Sequence, residues 1–224
     1  MMTASTLVGQ IAAILSPAYG MNYSAASDAN DVFEGYTLAI VVSAARAAGA
    51  TVVFEANDGK TTTNLIFRTS PGDIFSPKRK YTHAIISLPS CQPVEAHIGV
   101  KVSGRSGVLH ECDVAVIDRH EARVCRSEKV HPRASKVLIA AECKFYASTL
   151  QLGLARAYLG LAEELSKQNR LLVTNTTSDS AAKMIAYHRA GWEFDLSSPT
   201  AAQAVDLEAK FKEVFRNYVA KDSR

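Results

Sequence analysis

The chain has 224 residues, of which 47% are hydrophobic and 21% charged, and its formal net charge is +3. This composition is that of an ordinary soluble globular protein, and the length predicts one domain, residues 1–224. The small net charge excludes a polybasic tail but is compatible with a locally basic groove. No apolar run reaches the length of a membrane span.

The four cysteines, Cys91, Cys112, Cys125 and Cys143, form no C-x-x-C pair and have no zinc-type spacing. Cys112 and Cys143 fall inside predicted apolar strands, where a free cysteine behaves as a small hydrophobic residue. A reducing cytoplasm is the simplest setting for such a chain. The N-terminal apolar patch lacks the basic region of a signal peptide, so none is predicted.

The N-terminal half of the chain predicts two helices followed by a β-rich block. Helical spacing of apolar residues indicates a short helix over Thr6–Leu15 and a core helix over Asp31–Ala48, which Gly49 ends. The strands are predicted over Thr51–Ala56, Thr62–Thr69, Tyr81–Leu88, Val94–Val102 and Val108–Asp118. Asn57-Asp58-Gly59 lies between the first two strands and is a strong hairpin signal.

The C-terminal half begins with a charged connection and then alternates strands and helices. Residues Arg119–Lys136 carry six cations against two glutamates and are predicted to include a strand over Glu121–Arg126. The later elements are predicted as the helix Ser148–Gln168, the strand Arg170–Thr174, the helix Ser180–Ala190, the strand Trp192–Asp195 and the helix Thr200–Lys221. The apolar positions of the last helix can pack on the domain or on a second subunit.

Between these halves, the apolar run Val137–Ala141 leads into Glu142 and Lys144. Side chains alternate between the two faces of a strand, so residues two apart point the same way. Glu142 and Lys144 are therefore predicted to share one face, while Cys143 points to the other. A strand end of this kind is weak evidence on its own, because strands that reach solvent often end in charge.

Asp113 is the second unusual residue, because it lies in the middle of an apolar strand. Aspartate is disfavoured in strands, and burying its charge costs several kcal/mol unless something neutralises it. A divalent cation that bridges Asp113 and Glu142 would neutralise both. The alternative is that backbone amides satisfy Asp113 and that Glu142 and Lys144 form a surface ion pair.

An Asp on one strand followed by Glu-x-Lys on the next resembles the PD-(D/E)xK nuclease superfamily. The resemblance spans Asp31–Asp195 and implies an α/β, restriction-endonuclease-like core. That core has a central mixed β-sheet flanked by helices, here with an extra β-rich insertion and a C-terminal helix. The segment Leu171–Phe194 resembles the part of Mrr-like restriction enzymes that follows the core helix.

The resemblance also implies a metal site. Asp113 and Glu142 would be direct ligands and the main-chain carbonyl of Cys143 a third. Hard oxygen ligands select Mg²⁺, with Mn²⁺ as a substitute. Lys144 would orient the attacking water and stabilise the developing negative charge.

Two assignments in this site have competitors. Many members of the superfamily carry a Glu on the first core helix, which here implies Glu34, with Asp31 one turn earlier as its competitor. The connection between the two strands is longer than in the tightest members, which leaves Asp118 and Glu111 as alternatives to Asp113. Asp113 is preferred because it is in mid-strand, whereas Asp118 ends the strand.

Four residues are candidates for contact with nucleic acid. Gln151 is predicted on the first turn after Lys144, where some members of the superfamily contact a phosphate. The other three are cations: Arg105 in a glycine-rich turn, Arg119 in the charged connection, and Lys78 in the loop Phe75–Lys80. Each also has a plain structural interpretation as a turn or surface residue.

These features together predict a magnesium-dependent DNA endonuclease of prokaryotic restriction or phage defence. We expect a homodimer, and a partner protein of a defence system is compatible with this interpretation. The alternatives are a catalytically inactive nuclease-fold module that binds nucleic acid or a protein, and a junction-resolving or repair nuclease. An intact Asp, Glu and Lys argue against the inactive module. No glycine-rich nucleotide loop is present to suggest a cofactor enzyme.

Overall fold

The structure is a computed structural model that describes residues 3–165, 169–194, 196 and 202–222. It is an α/β protein with a mixed central sheet flanked by helices. The helices are α1 (Ala4–Leu15), α2 (Ala29–Ala47), α3 (Arg119–Glu128), α4 (Leu152–Glu164), α5 (Asp179–Tyr187) and α6 (Ala202–Asp222). The strands are β1 (Gly20–Met21), β2 (Thr51–Ala56), β3 (Asn64–Leu65), β4 (Thr82–Ser87), β5 (Val94–Ser103), β6 (Leu109–Asp118), β7 (Val137–Lys144), β8 (Arg170–Thr174) and β9 (Gly191–Glu193).

The main sheet has seven strands in the order β2-β4-β5-β6-β7-β8-β9. Neighbours from β2 to β7 are antiparallel, while β7, β8 and β9 run parallel to one another. The parallel strands are joined through α4 and α5, as parallel connections require. β6 and β7 therefore lie side by side near the middle of the sheet.

Helix α2 is the centre of the largest core cluster. Asp28 caps it by accepting the backbone N–H of Asn30 at 2.8 Å, and Gly49 follows its C-terminus with φ +93°. Every residue from Val32 to Val42 is buried, because the sheet covers one side of the helix and α1 and α6 cover others. A helix that is apolar all round must be enclosed in this way.

The C-terminal helix packs on the domain. Leu207, Phe211 and Phe215 of α6 are fully buried in the same cluster as α2, and the hydroxyl of Ser43 donates to Glu208 Oε1 at 3.0 Å. The face of α6 that carries Leu207, Phe211 and Phe215 is therefore covered within the chain, whereas Val205 is exposed.

One predicted strand is wrong, since residues Glu121–Arg126 belong to helix α3. The side chain of Asp118 accepts the backbone N–H of Glu121 at 2.8 Å and so caps the helix. Ala122 and Cys125 are buried three residues apart on the face that meets the sheet. A stripe of only two small residues is too short for its period to be recognised among charged neighbours.

The predicted hairpin is only partly present. The Asn57–Gly59 turn forms, with the N–H of Gly59 donating to Ala56 O at 2.9 Å. Of the predicted strand Thr62–Thr69, however, only Asn64–Leu65 is a strand, and it pairs in parallel with β1. β2 pairs instead with β4.

The remaining predicted elements are present: the strands Thr51–Ala56 and Arg170–Thr174 have the predicted bounds, and the others have shifted ends. Helix α4 begins at Leu152, so Gln151 is its N-cap residue and not part of its first turn. The predicted ends at Gln168 and Asp195 and the predicted start at Thr200 lie outside the described residues.

Candidate active site

The candidate site lies where β6 and β7 separate. Their paired register ends at Val114 opposite Ala141, and the next residues on the two strands are Asp113 and Glu142. The carboxylate of Asp113 enters the gap, where its Oδ2 accepts the backbone N–H of Cys143 at 2.7 Å. A side chain thus takes the place of a strand-to-strand backbone hydrogen bond.

Lys144 is the cation of the site, and three oxygen atoms converge on its Nζ. Glu142 Oε1 lies at 2.8 Å, and Asp113 Oδ2 and Cys143 O both lie at 3.0 Å. These belong to the two side chains and the one carbonyl that the resemblance implies as metal ligands. The structure therefore brings Asp113, Glu142, Cys143 and Lys144 together at one point.

The two carboxylates stabilise the protonated form of Lys144. Burial alone would lower the pKa of its ammonium group, but the carboxylates of Asp113 and Glu142 outweigh that effect and raise the pKa. Burial and the neighbouring charge of Asp113 in turn raise the pKa of Glu142, although Lys144 opposes the shift. The acids of the site are thus in excess over its single cation.

Glu34 reaches the same site from helix α2. It is 9% exposed, and Oε1 accepts the side-chain amide of Asn30 at 3.0 Å. Asn30 Oδ1 accepts the backbone N–H of Phe145, which ties α2 to the end of β7. Burial and then the charge of Asp113 raise the pKa of Glu34 to about 9. Asp31 is half-buried one turn earlier, and burial and Asp28 raise its pKa. Of the two competitors, Glu34 is therefore the one whose pKa responds to the charge of Asp113.

Glu111 is a further acid at the site, which sequence reasoning kept only as an alternative to Asp113. Burial, Asp113 and Glu142 together raise the pKa of Glu111 to about 7. Asp118 is placed differently, because it caps α3 at the far end of β6. At about 3.3 Å per residue, five residues separate it from Asp113 by roughly 16 Å. Asp113 and Glu111 are therefore at the site, and Asp118 is not.

A kink in the β5–β6 pair explains how these acids meet. Gly99 has φ +57°. Its neighbours Ile98 and Val100 pair with Val114 and Cys112, so Asp113 is the residue of β6 that Gly99 faces. Ile98 packs in the cluster around α2, whereas Val100 packs in the cluster on the other face of the sheet, so the alternation of faces breaks at Gly99. A glycine in mid-strand is the sequence signal for such a break.

The candidate nucleic-acid contacts lie on four separate segments of the chain. Gln151 is exposed at the start of α4 and Lys78 is exposed in the loop before β4. The turn that carries Arg105 is held by Glu164, whose Oε2 accepts both the N–H and the hydroxyl of Ser106. Arg119 lies beyond Asp118 and pairs with Glu55 at 2.9 Å, so it is away from Asp113.

A second polar cluster lies under α3, where His83, Glu95 and His97 are buried with their ligand atoms within 4.8 Å of one another. This spacing is compatible with a metal ion. The guanidinium of Arg126, however, already donates two hydrogen bonds to Glu95, of 2.6 and 2.9 Å. A divalent ion would lie beside that cation, so we interpret the cluster as a buried ionic network.

Comparison of the chain with protein-family models, with curated proteins and with solved structures finds no match. Among the described residues, no helix has both the length and the hydropathy needed to cross a bilayer. The function therefore has to be inferred from the geometry of the site.

Proposed function

We propose that the chain is a metal-dependent endonuclease that hydrolyses phosphodiester bonds in DNA. In this proposal its sheet and helices are a variant of the restriction-endonuclease-like core of the PD-(D/E)xK superfamily. The observation that carries the proposal is the convergence of Asp113 Oδ2, Glu142 Oε1 and Cys143 O on one cation at 2.8–3.0 Å. A surface ion pair between Glu142 and Lys144 would not by itself explain why the buried Asp113 also contacts Lys144 where the two strands separate.

The donor set fits a magnesium or manganese ion. All the candidate ligands are oxygen atoms, and Asp113 and Glu142 carry the charge that a hard divalent cation requires. The three oxygens already surround the ammonium group of Lys144, which is a stand-in for a cation at that point. A bound ion would supply charge neutralisation and an activated water.

The protein side chains have separate roles in this mechanism. Lys144 stays protonated at neutral pH and can stabilise negative charge on the attacked phosphate. Glu34, whose pKa is about 9 without a divalent ion, keeps a proton that a cation entering the site would displace. Glu111 adds a further carboxylate on the same side, which increases the attraction for a cation.

The proposal is tested with purified protein on plasmid DNA. Wild type should nick or cut the plasmid with Mg²⁺ or Mn²⁺ and not with EDTA. Asp113→Asn and Glu142→Gln should reduce cleavage to background, because each removes a charged ligand with little change of shape. Lys144→Met should slow cleavage by about 10²–10³-fold, the usual cost of losing a group that stabilises transition-state charge.

Asp118→Asn is the matched control. It makes the same chemical change on the same strand, and Asn is as good a helix cap as Asp, so cleavage should not change. Full activity in Asp113→Asn would refute the assignment of the site. DNA binding by wild type with no cleavage under either metal would favour the inactive nuclease-fold module.

The biological setting belongs to the same proposal. The Mrr-like character of Leu171–Phe194 supports prokaryotic restriction or phage defence, with two copies of the chain addressing the two DNA strands. All four cysteines are free thiols, as in a reducing cytoplasm. Sedimentation tests the dimer. Preferential cleavage of four-way junctions over linear duplex would instead favour a junction-resolving or repair nuclease.

A further inference from the structure

A basic pocket lies between the segment 66–80 and β5. Its volume is about 450 Å³. Its lining includes five cationic side chains and one carboxylate, that of Asp73: the cations are Arg68, Lys78, Arg79, Lys80 and Lys101. The excess of four positive charges is larger than the +3 of the whole chain. The rest of the protein is therefore close to neutral, and the positive charge is concentrated here.

The floor of the pocket is rigid, because Arg68 is fixed in place. Its guanidinium donates to Gly99 O at 3.2 Å and to Asp73 O at 3.0 Å, and lies 3.7 Å from the centre of the Tyr81 ring. The N–H of Gly72 also donates to Gly99 O, at 2.9 Å. The segment is thus attached to the kink in β5.

The cations at the rim remain available to a ligand. The carboxylate of Asp73 is already paired with Lys101 at 3.2 Å and with His131 at 3.1 Å. Lys78 and Lys80 are exposed, and no carboxylate in the described part of the chain forms an ion pair with either. Lys78 and Lys80 therefore present two unpaired ammonium groups at the rim, above the floor that Arg68 forms. This arrangement is suited to an anion that presents repeated charges.

The pocket adjoins the acidic centre. Lys101 lies directly opposite Glu111 in the β5–β6 register, and Asp113 is two residues farther along β6. The spacings within and between strands put the Cα atoms of Lys101 and Asp113 about 8 Å apart. On the other side, the hydroxyl of Tyr23 lies 3.4 Å from Arg68 O, and its ring packs against Gly35 beside Glu34.

We propose that this pocket binds the phosphate backbone of the nucleic-acid strand on which the acidic centre acts. The inference rests on the proposed function. A cluster of carboxylates repels a polyanion, so affinity for the strand has to come from cations nearby. Successive phosphates of one strand are about 3.4 Å apart along a duplex axis, so about 8 Å corresponds to about two nucleotides from the scissile bond.

The test compares Lys78→Gln/Lys80→Gln with the control Arg216→Gln/Lys221→Gln. The control removes the same charge from exposed positions of α6. Binding of a fluorescent DNA duplex is measured by anisotropy over a range of salt concentrations, with Ca²⁺ in place of Mg²⁺. The pocket variant should bind about tenfold more weakly, and its slope of log Kd against log salt should fall by about 2, one per lost phosphate contact. The control should match wild type.

The outcomes separate this inference from the proposed function. If wild type cuts DNA and the pocket variant binds with unchanged affinity and slope, the pocket inference is overturned and the nuclease stands. If wild type binds through Lys78 and Lys80 but cuts nothing with Mg²⁺ or Mn²⁺, the nuclease fails and the pocket stands. If wild type does not bind DNA, both fail.

Discussion

At the scale of single residues, Lys144 has the most consequential position. Its ammonium group lies within 3.0 Å of three oxygens that would also hold a divalent ion. A metal and the ammonium group cannot occupy the same point, so they compete for it. In the proposed mechanism the side chain of Lys144 therefore has two positions. Without a metal ion it neutralises the carboxylates, and with a metal ion bound it moves away from them and faces the phosphate.

This competition predicts opposite effects of one substitution on binding and on cleavage. Lys144→Met should bind Mn²⁺ more tightly than wild type, by about tenfold or more, because two carboxylates lose a cation about 3 Å away. The same variant should cut DNA far more slowly. Mn²⁺ affinity is measured by electron paramagnetic resonance, with the exposed Lys136→Met as control. Weaker Mn²⁺ binding by Lys144→Met would show that the lysine helps to hold the metal and does not compete with it.

At the scale of elements, the site depends on the point where β5 and β6 bend together. Gly99 supplies the bend with φ +57°, and a Cβ there would lie 3.3 Å from Ser70 O. Asp113 occupies the opposite position on β6. The glycine therefore shapes both the acidic centre and the floor of the basic pocket.

Gly99→Ala should destabilise the protein by about 1–3 kcal/mol, the usual cost of a left-handed conformation for a residue other than glycine. Gly160→Ala is the matched control, since Gly160 lies in the interior of α4 and an added methyl group there would meet no neighbouring atom within 4 Å. It should stabilise the protein by about 0.5–1 kcal/mol through helix propensity. Urea denaturation measures both values. Equal stability of Gly99→Ala and wild type would mean that the kink tolerates a side chain.

The elements also show which parts of the fold can be predicted from the sequence. The periods of 3.6 in α2 and of 2 in β6 and β7 were enough to predict those elements, because each has a long apolar pattern. They also predicted that Glu142 and Lys144 share a face. Local patterns failed where a partner is distant in the chain: β3 pairs with β1, more than 40 residues away.

The candidate site was predictable only in part, for the same physical reason. Asp113 was noticeable because a charge interrupts an apolar strand. The approach of Glu34 depends on how α2 packs on the sheet, and the approach of Glu111 depends on the kink at Gly99. Neither packing nor a kink is encoded in a short window of sequence, so these contacts require the tertiary structure.

At the scale of the whole molecule, the net charge of +3 conceals a strong separation of charge. Acidic side chains lie where β6 and β7 separate, and cationic side chains line the adjoining pocket. The buried ionic network of His83, Glu95 and His97 lies under α3. In that network His83 Nε2 lies 3.5 Å from Glu95 Oε2. Neither ring nitrogen of His83 has a hydrogen-bond partner in the described part of the chain.

This network predicts an acid-sensitive contribution to stability. Glu34 and Glu111 oppose it, because burial raises their pKa values to about 9 and about 7 and the folded chain then keeps protons that the unfolded chain loses. Burial, with smaller contributions from His97 and Arg126, lowers the pKa of His83 well below the ordinary 6.5, and burial also lowers that of His97. Below about pH 6.5 the unfolded chain therefore takes up protons that the folded chain does not. The contribution of the two histidines to stability is fully present above about pH 6.5 and falls below it by up to about 1.4 kcal/mol per pH unit for each histidine.

Urea denaturation between about pH 7.5 and 5 checks this expectation. Relative to wild type, His83→Leu should gain up to about 1.4 kcal/mol of stability per pH unit below about pH 6.5. It should cost little stability at about pH 7.5, because it removes a buried polar ring without hydrogen bonds. The exposed His120→Gln should leave the slope as in wild type. A slope that His83→Leu does not change would assign the acid sensitivity to other groups.

The internal cation at the end of β7 has one more consequence, which concerns how the protein survives when divalent ions are scarce. Small metal-dependent folds collapse when chelators strip them, because their ligands repel one another once the ion has gone. Here the ammonium group of Lys144 already neutralises the carboxylates of Asp113 and Glu142. In the proposed mechanism, chelation of the metal should therefore abolish cleavage and leave the melting temperature nearly unchanged. Magnesium would then be required for cleavage and not for folding. Folded, metal-free protein could be activated by adding the ion alone.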